Sequence, residues 1–136
     1  MQTPRFSFME PMMKYFTVEE ANALLPKLEP IMKQLLDRRA RASRLAQQMG
    51  DVLSDLRSNV GGPELSTLTQ DFAAIERMIY KIQAHGVVIK DVNAGLLDFL
   101  SQRNGRDVYL CWKYGEEKIE YYHELHTGFA GRQHVE

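Results

Sequence analysis

The chain has 136 residues, 44% hydrophobic and 26% charged, the balance of one folded domain that buries about two thirds of its unfolded surface and needs no disulfide or metal merely to hold a core. Its 17 basic and 18 acidic residues leave a net charge of -1, which removes any whole-chain electrostatic case for nucleic acid. One cysteine, Cys111, fits a reducing compartment, and apolar runs such as Val87-Val88-Ile89 are too short for a membrane span or a signal peptide, so a cytoplasmic protein is expected.

Residues 1–14 hold four methionines and two prolines with no helical or strand period, and read as a loosely ordered arm before a single domain over residues 15–136. Thr17-Val18-Glu19-Glu20 then has the spacing of a capping box, with Phe16 placed as a hydrophobic staple, so a helix starts there. Pro26 and Pro30 each remove a backbone donor, and the spacing predicts a short opening helix over 18–25 that ends or bends before a long one. The long helix carries Leu28, Ile31, Leu35, Ala42, Leu45, Met49, Val52 and Leu56 at alternating steps of three and four, with Arg38 in the one slot that breaks the series. Ser58-Asn59-Val60-Gly61-Gly62-Pro63 is a turn ending in a proline suited to a helix start. A second helix follows with Leu65, Leu68, Phe72, Ile75, Ile79 and Ile82 on the same rhythm, closed by Gly86. Two heptad-patterned helices around a short turn make an antiparallel hairpin over 15–86. The first helix overhangs the second, and its unmatched seam has to pack on the sheet, on the opening helix or on a second copy of the chain.

From Val87 the period changes to two, giving strands over 87–91, 96–102, 107–114 and 119–125, an antiparallel meander of three or four strands in the region 87–125. Asn104-Gly105 is the strongest short hairpin signal available, and it pairs Asp98 with Cys111 and Leu97 with Trp112. A four-residue loop over 115–118 would pair Trp112 with Tyr121, Cys111 with Tyr122, Leu110 with His123, and Lys113 with Glu120. That register sets His123 on the helix-facing side, and a one-residue slip would exchange the faces completely. Residues 126–136 are too glycine-rich for a regular element. The expected fold is α+β: a helical hairpin with a short N-terminal helix, packed on the meander.

Tyr15-Phe16-Thr17-Val18-Glu19-Glu20-Ala21-Asn22-Ala23-Leu24-Leu25-Pro26, with Gly95-Leu96-Leu97-Asp98-Phe99, Leu110-Cys111-Trp112, Gly115-Glu116, His123-Glu124 and Gly128-Phe129-Ala130-Gly131-Arg132, resembles the bacterial family known as domain of unknown function 2203. The resemblance runs from about Tyr15 to Arg132 and implies a small bacterial cytosolic protein with its distinctive residues in the β half. It carries no established activity. Leu100 stands where that family often has proline, and Tyr122 where it often has tryptophan.

The chemistry-bearing candidates lie in that half. His123 reads either as a ligand or general base or as a core histidine bonded to a carbonyl. Asp98, Cys111 and Glu124 supply three metal-ligand types if their face is covered. A carboxylate beside Cys111 raises the thiol's pKa, which argues against a cysteine nucleophile. Arg106 and Arg132, with the Gly128 to Gly131 backbone as a nest, form a candidate carboxylate or phosphate site together with Trp112 and His123. The alternative for this tail is a loop pinned by Phe129 in an apolar slot and Arg132 on a carboxylate. Arg38, Arg39, Arg41 and Arg44 read as a solvated basic face rather than a nucleic-acid contact. With no triad, phosphate loop or complete metal set, the leading expectation is a non-catalytic module that binds a partner protein or forms a homo-oligomer, a dimer through the long helices. The alternative is an anion- or metal-binding protein, possibly an enzyme, with its site in the β half. No cofactor is assigned.

Overall fold

The structure, a computed structural model, describes residues 14–54 and 63–136, with side chains given outside 51–54. The expected arm, but for Lys14, and the glycine turn between the helices lie outside the described residues. Within them the chain forms α1 (Val18–Ser54), α2 (Pro63–Gln83), β1 (Val88–Asp91), β2 (Leu96–Arg103), β3 (Arg106–Lys113), β4 (Tyr121–Glu124), a 3-10 turn (Phe129–Gly131) and β5 (Gln133–His134). The fold is α+β.

The capping box closes as its spacing requires: the Thr17 N–H donates to Glu20 Oε1 at 2.9 Å and the Glu20 N–H to Thr17 Oγ1 at 3.0 Å. Just before it, the Phe16 N–H donates to the Leu100 carbonyl at 2.7 Å, and Ser101 Oγ donates back to the Phe16 carbonyl at 2.6 Å. The start of α1 is thus tied to β2, with the Phe16 ring edge-on to Phe99.

Pro26 and Pro30 do not divide the helix; α1 is continuous through both, so the short opening helix is not a separate element. The missing donors free the carbonyls of Asn22 and Pro26, and both prolines lie on the exposed side, where water can serve those carbonyls. On the other side Leu25, Leu28, Met32 and Leu35 are all buried and hold the helix across the two breaks.

The second correction is in α2. Its inward face is Asp71, Ala74, Ile75, Met78 and Ile82, while Phe72 is 56% and Leu65 43% exposed. The cause is Arg38 in the α1 seam. A guanidinium there needs a carboxylate opposite, and Asp71 turns fully inward to receive Arg38 Nη1 at 3.2 Å and Arg41 Nε at 3.0 Å, with a second Arg41 contact. Phe72, one step on, is rotated outward by about 100°.

The sheet is wholly antiparallel with strands in the order β1-β2-β3-β4-β5, where the pattern led to an expectation of three or four. Asn104 (φ 52°) and Gly105 (φ 80°) form the two-residue turn, and β2 and β3 pair as expected, Asp98 opposite Cys111 and Leu97 opposite Trp112. Gly95 (φ 70°) permits a close approach in which a Cβ would come within 2.8 Å of Tyr114 Cβ.

The β3–β4 register differs from expectation by one residue: Tyr109 faces His123, Leu110 faces Tyr122 and Cys111 faces Tyr121. The loop over 114–120 is not a four-residue hairpin, because its hydrogen bonds go elsewhere. The Lys113 N–H donates to Glu116 Oε1 at 2.8 Å, Trp112 Nε1 to the Glu116 carbonyl at 2.9 Å, and the Ile119 N–H to Asn22 Oδ1 on α1 at 2.7 Å. The slip exchanges the faces of β4. Tyr122 joins the core with Leu97, Phe99, Val108, Leu110 and Trp112, against the helices, and His123 moves to the opposite face.

Arg41, Arg38 and their hydrogen bonds hold the Asp71 carboxyl below the usual carboxylate range, against the opposing effect of burial. The stabilisation is therefore complete above about pH 4, the unfolded value, and is lost as pH falls through the lower folded value. Thermal melts at neutral and strongly acid pH should show a smaller acid-induced drop for Asp71→Asn than for the wild type. Equal acid sensitivity would count against this pairing.

Candidate functional site

On the sheet face away from the helices, β2 and β3 set Asp98 beside Cys111, and the slipped register brings His123 in from β4 one row along. All three are about 1% exposed, and one carboxylate oxygen, the Cys111 sulfur and one ring nitrogen lie within 4.8 Å of one another. His123 Nδ1 lies 2.8 Å from the Glu124 carbonyl. A carbonyl only accepts, so Nδ1 carries the hydrogen. Nε2 is then aimed at Asp98, 3.1 Å from each of its carboxyl oxygens. Facing a carboxylate, that nitrogen needs a positive partner between, either a proton or a cation.

Burial pushes the Asp98 carboxyl up, with His123 as the main opposing influence. Burial, and then the Asp98 charge, push the Cys111 thiol up to about 11, with Arg132 acting the other way. Both effects raise the thiol, the direction opposite to the one an activated nucleophile needs. The Tyr109 ring stands 5.7 Å from the His123 ring.

Arg132 comes from the tail. Its guanidinium donates to both carboxylate oxygens of Glu116 (3.0 and 2.7 Å), lies over the rings of Tyr121 (3.9 Å) and Phe129 (4.4 Å), and places Nη1 3.9 Å from Cys111 Sγ. Of the tail amides, the Gly131 N–H donates to the Gly128 carbonyl and the Arg132 N–H to the Phe129 carbonyl. Phe129 is 42% exposed rather than slotted, and the tail adds β5 to the sheet where a loop was expected.

The remaining candidates lie apart. Glu124 is on the helix-facing side of the sheet, where Arg106 donates to its two oxygens at 3.0 and 2.8 Å and holds its carboxyl low. It does not meet Asp98 or Cys111; His123 stands in that place. Trp112 is fully buried among the core side chains. In the basic stretch Arg38 and Arg41 are closed on Asp71, and Arg39 reaches Asn93 on the β1–β2 turn.

The fold is thus a helix pair on one face of an antiparallel sheet, with a buried aspartate, cysteine and histidine on the other. The chain belongs to the family described as uncharacterized conserved protein (DUF2203), whose model matches residues 14–135. Comparison with curated proteins and with solved structures returns no match. Among the described residues no helix is long and apolar enough to cross a membrane.

The shift of Cys111 from 9.0 to about 11 lowers its thiolate fraction about a hundredfold near neutral pH, before steric protection is counted. With no metal bound, a thiol reagent should therefore label native protein at least about a hundredfold more slowly than urea-unfolded protein. Comparable rates would place the sulfur at the surface.

Proposed function

We propose that this is a metal-binding protein that holds a divalent ion of the zinc type through Asp98, Cys111 and His123. The observation that carries the reading is the orientation of His123: its Nδ1–H is spent on a carbonyl, leaving Nε2 directed at a carboxylate. A ligating histidine is commonly oriented in this way by an outer hydrogen bond. Zinc accepts nitrogen, oxygen and sulfur, and bonds of about 2.0 to 2.3 Å in a tetrahedron put ligand atoms roughly 3.3 to 3.7 Å apart. The 3.1 Å from Nε2 to each carboxylate oxygen is close to that, and the 4.8 Å limit on the full set leaves the side chains a small adjustment. The charges also close: a carboxylate, a thiolate and a neutral imidazole balance a dication. Three protein ligands leave a fourth position for water or another small ligand. Arg106 and Arg132, the donors an anion site would use, are each closed on a glutamate, which favours the cation.

Elemental analysis and native mass spectrometry of the protein refolded with zinc should find about one ion per chain. Cys111→Ser and His123→Gln should each lose it while remaining folded. Failure of the folded wild type to bind zinc, cobalt or cadmium at micromolar concentrations would overturn the reading and leave Asp98 and His123 sharing a proton.

A second reading concerns the helical half, because α2 leaves Leu65 and Phe72 exposed beside half-buried Leu68 and Ile79. Leu65 and Ile79 are seven residues to either side of Phe72, so an antiparallel α2–α2 contact about a two-fold axis at Phe72 sets Leu65 against Ile79 of the other copy. We propose a homodimer through this face. Light scattering should give a dimer for the wild type and a monomer for Phe72→Glu; a wild-type monomer at high micromolar concentration would remove the idea.

A further inference from the structure

Arg132 reaches from the tail across the sheet to Cys111, and its position is over-determined. It is fixed by the two Glu116 bonds and by its packing on the Tyr121 and Phe129 rings. A flat group held by these four contacts, with its side chain 14% exposed, has little freedom to lose when it acts. The backbone that delivers it is equally constrained: a Cβ on Gly131 would meet Thr127 Cβ at 2.5 Å, so the 3-10 turn can fold this tightly only with glycine there. What this arrangement presents to the second face of the sheet is one N–H, Nη1, directed at the Cys111 sulfur at 3.9 Å.

Resting on the metal reading above, we infer that Arg132 is a positioning residue for that site: its Nη1–H donates to Cys111 Sγ and stabilises the sulfur as a thiolate ligand. Among the described residues Arg132 is the cation that reaches the Cys111 sulfur. An N–H donor to a ligating sulfur draws electron density from it, so the donor tunes the metal–sulfur bond without touching the metal.

Glu116 links this to the rest of the site. One of its oxygens accepts the Lys113 N–H and so helps to set the β4 register that places His123, and the same carboxylate holds the guanidinium at Cys111. A single carboxylate therefore sets both a metal ligand and the donor to a second one. The tail is then part of the site, although it contributes no ligand.

The experiment is a titration of the metal-stripped full chain with cobalt(II), following the thiolate-to-cobalt charge-transfer band, with zinc affinity measured by competition and thermal melts of the metal-free proteins alongside. Arg132→Gln should move the band to lower energy, because the sulfur has lost its donor, and should weaken zinc binding roughly 10- to 100-fold, the usual scale for an outer-shell partner. Arg132→Lys, which keeps the charge but cannot bridge Glu116 and the sulfur in one plane, should move the band in the same direction by less. A residue that only staples the tail would lower the melting temperature and leave the band of the bound fraction unmoved; that outcome overturns the inference with metal binding itself intact. If Arg132→Gln does not fold, an unmoved band in Arg132→Lys overturns it equally. A wild type that binds no cobalt overturns the metal reading and this inference together.

Discussion

The Glu116 carboxylate is the interaction on which the β half depends. An ordinary hairpin would continue the ladder past Cys111 and pair Lys113 with Glu120. Glu116 instead takes the Lys113 N–H, the Trp112 indole is drawn to the Glu116 carbonyl, and Ile119 is taken up by Asn22 of α1. The Lys113 and Ile119 amides thus find side-chain acceptors in place of ladder carbonyls, so they stay satisfied while the register moves by one residue. Because side chains alternate, that one step carries Tyr122 into the core and His123 out to Asp98. The chemistry of the second face is a result of how one loop spends its hydrogen bonds.

The helical half is organised by a comparable substitution of polar for apolar contact. A heptad seam interrupted by Arg38 cannot close on leucines alone, and Asp71 completes it. A buried carboxylate is costly to desolvate, and it is held here because two guanidiniums and three hydrogen bonds meet it. The contact fixes the rotation of α2 about its axis more firmly than an apolar stripe would. It also leaves Phe72 at the surface.

Much of the framework was legible in the residues. The capping box, the Gly86 cap, the Asn104-Gly105 turn and the β2–β3 register depend on interactions within a few positions of one another, and local spacing reports such interactions well. What was not legible depends on distant partners. Pro26 and Pro30 break a helix in isolation, and only the buried residues around them show why α1 continues. Arg38 looked like a fault in a seam until Asp71, in another helix, supplied its reason. The place of His123 required knowing that Asn22, almost a hundred residues earlier, takes the Ile119 amide of the loop before β4. Asp98 and Cys111 were correctly set together because one tight turn joins them, whereas Glu124 was grouped with them through the unslipped register.

The order in which the chain can close follows from the same bonds. β2 and β3 meet across two residues, so their pairing carries little loop-closure entropy and is expected to be among the earliest long contacts. In the folded chain the β4 register goes with Glu116 turned back on Lys113 and with Asn22 of α1 taking the Ile119 amide, contacts that span more of the sequence and are expected later. The tail follows, since Arg132 needs both Glu116 and the Tyr121 ring in position. Asp98 and Cys111 are therefore neighbours from an early stage, whereas His123 and Arg132 join them only in the nearly finished fold. An ion bound by all three ligands would accordingly act as a latch on the completed protein rather than as a nucleus for its assembly.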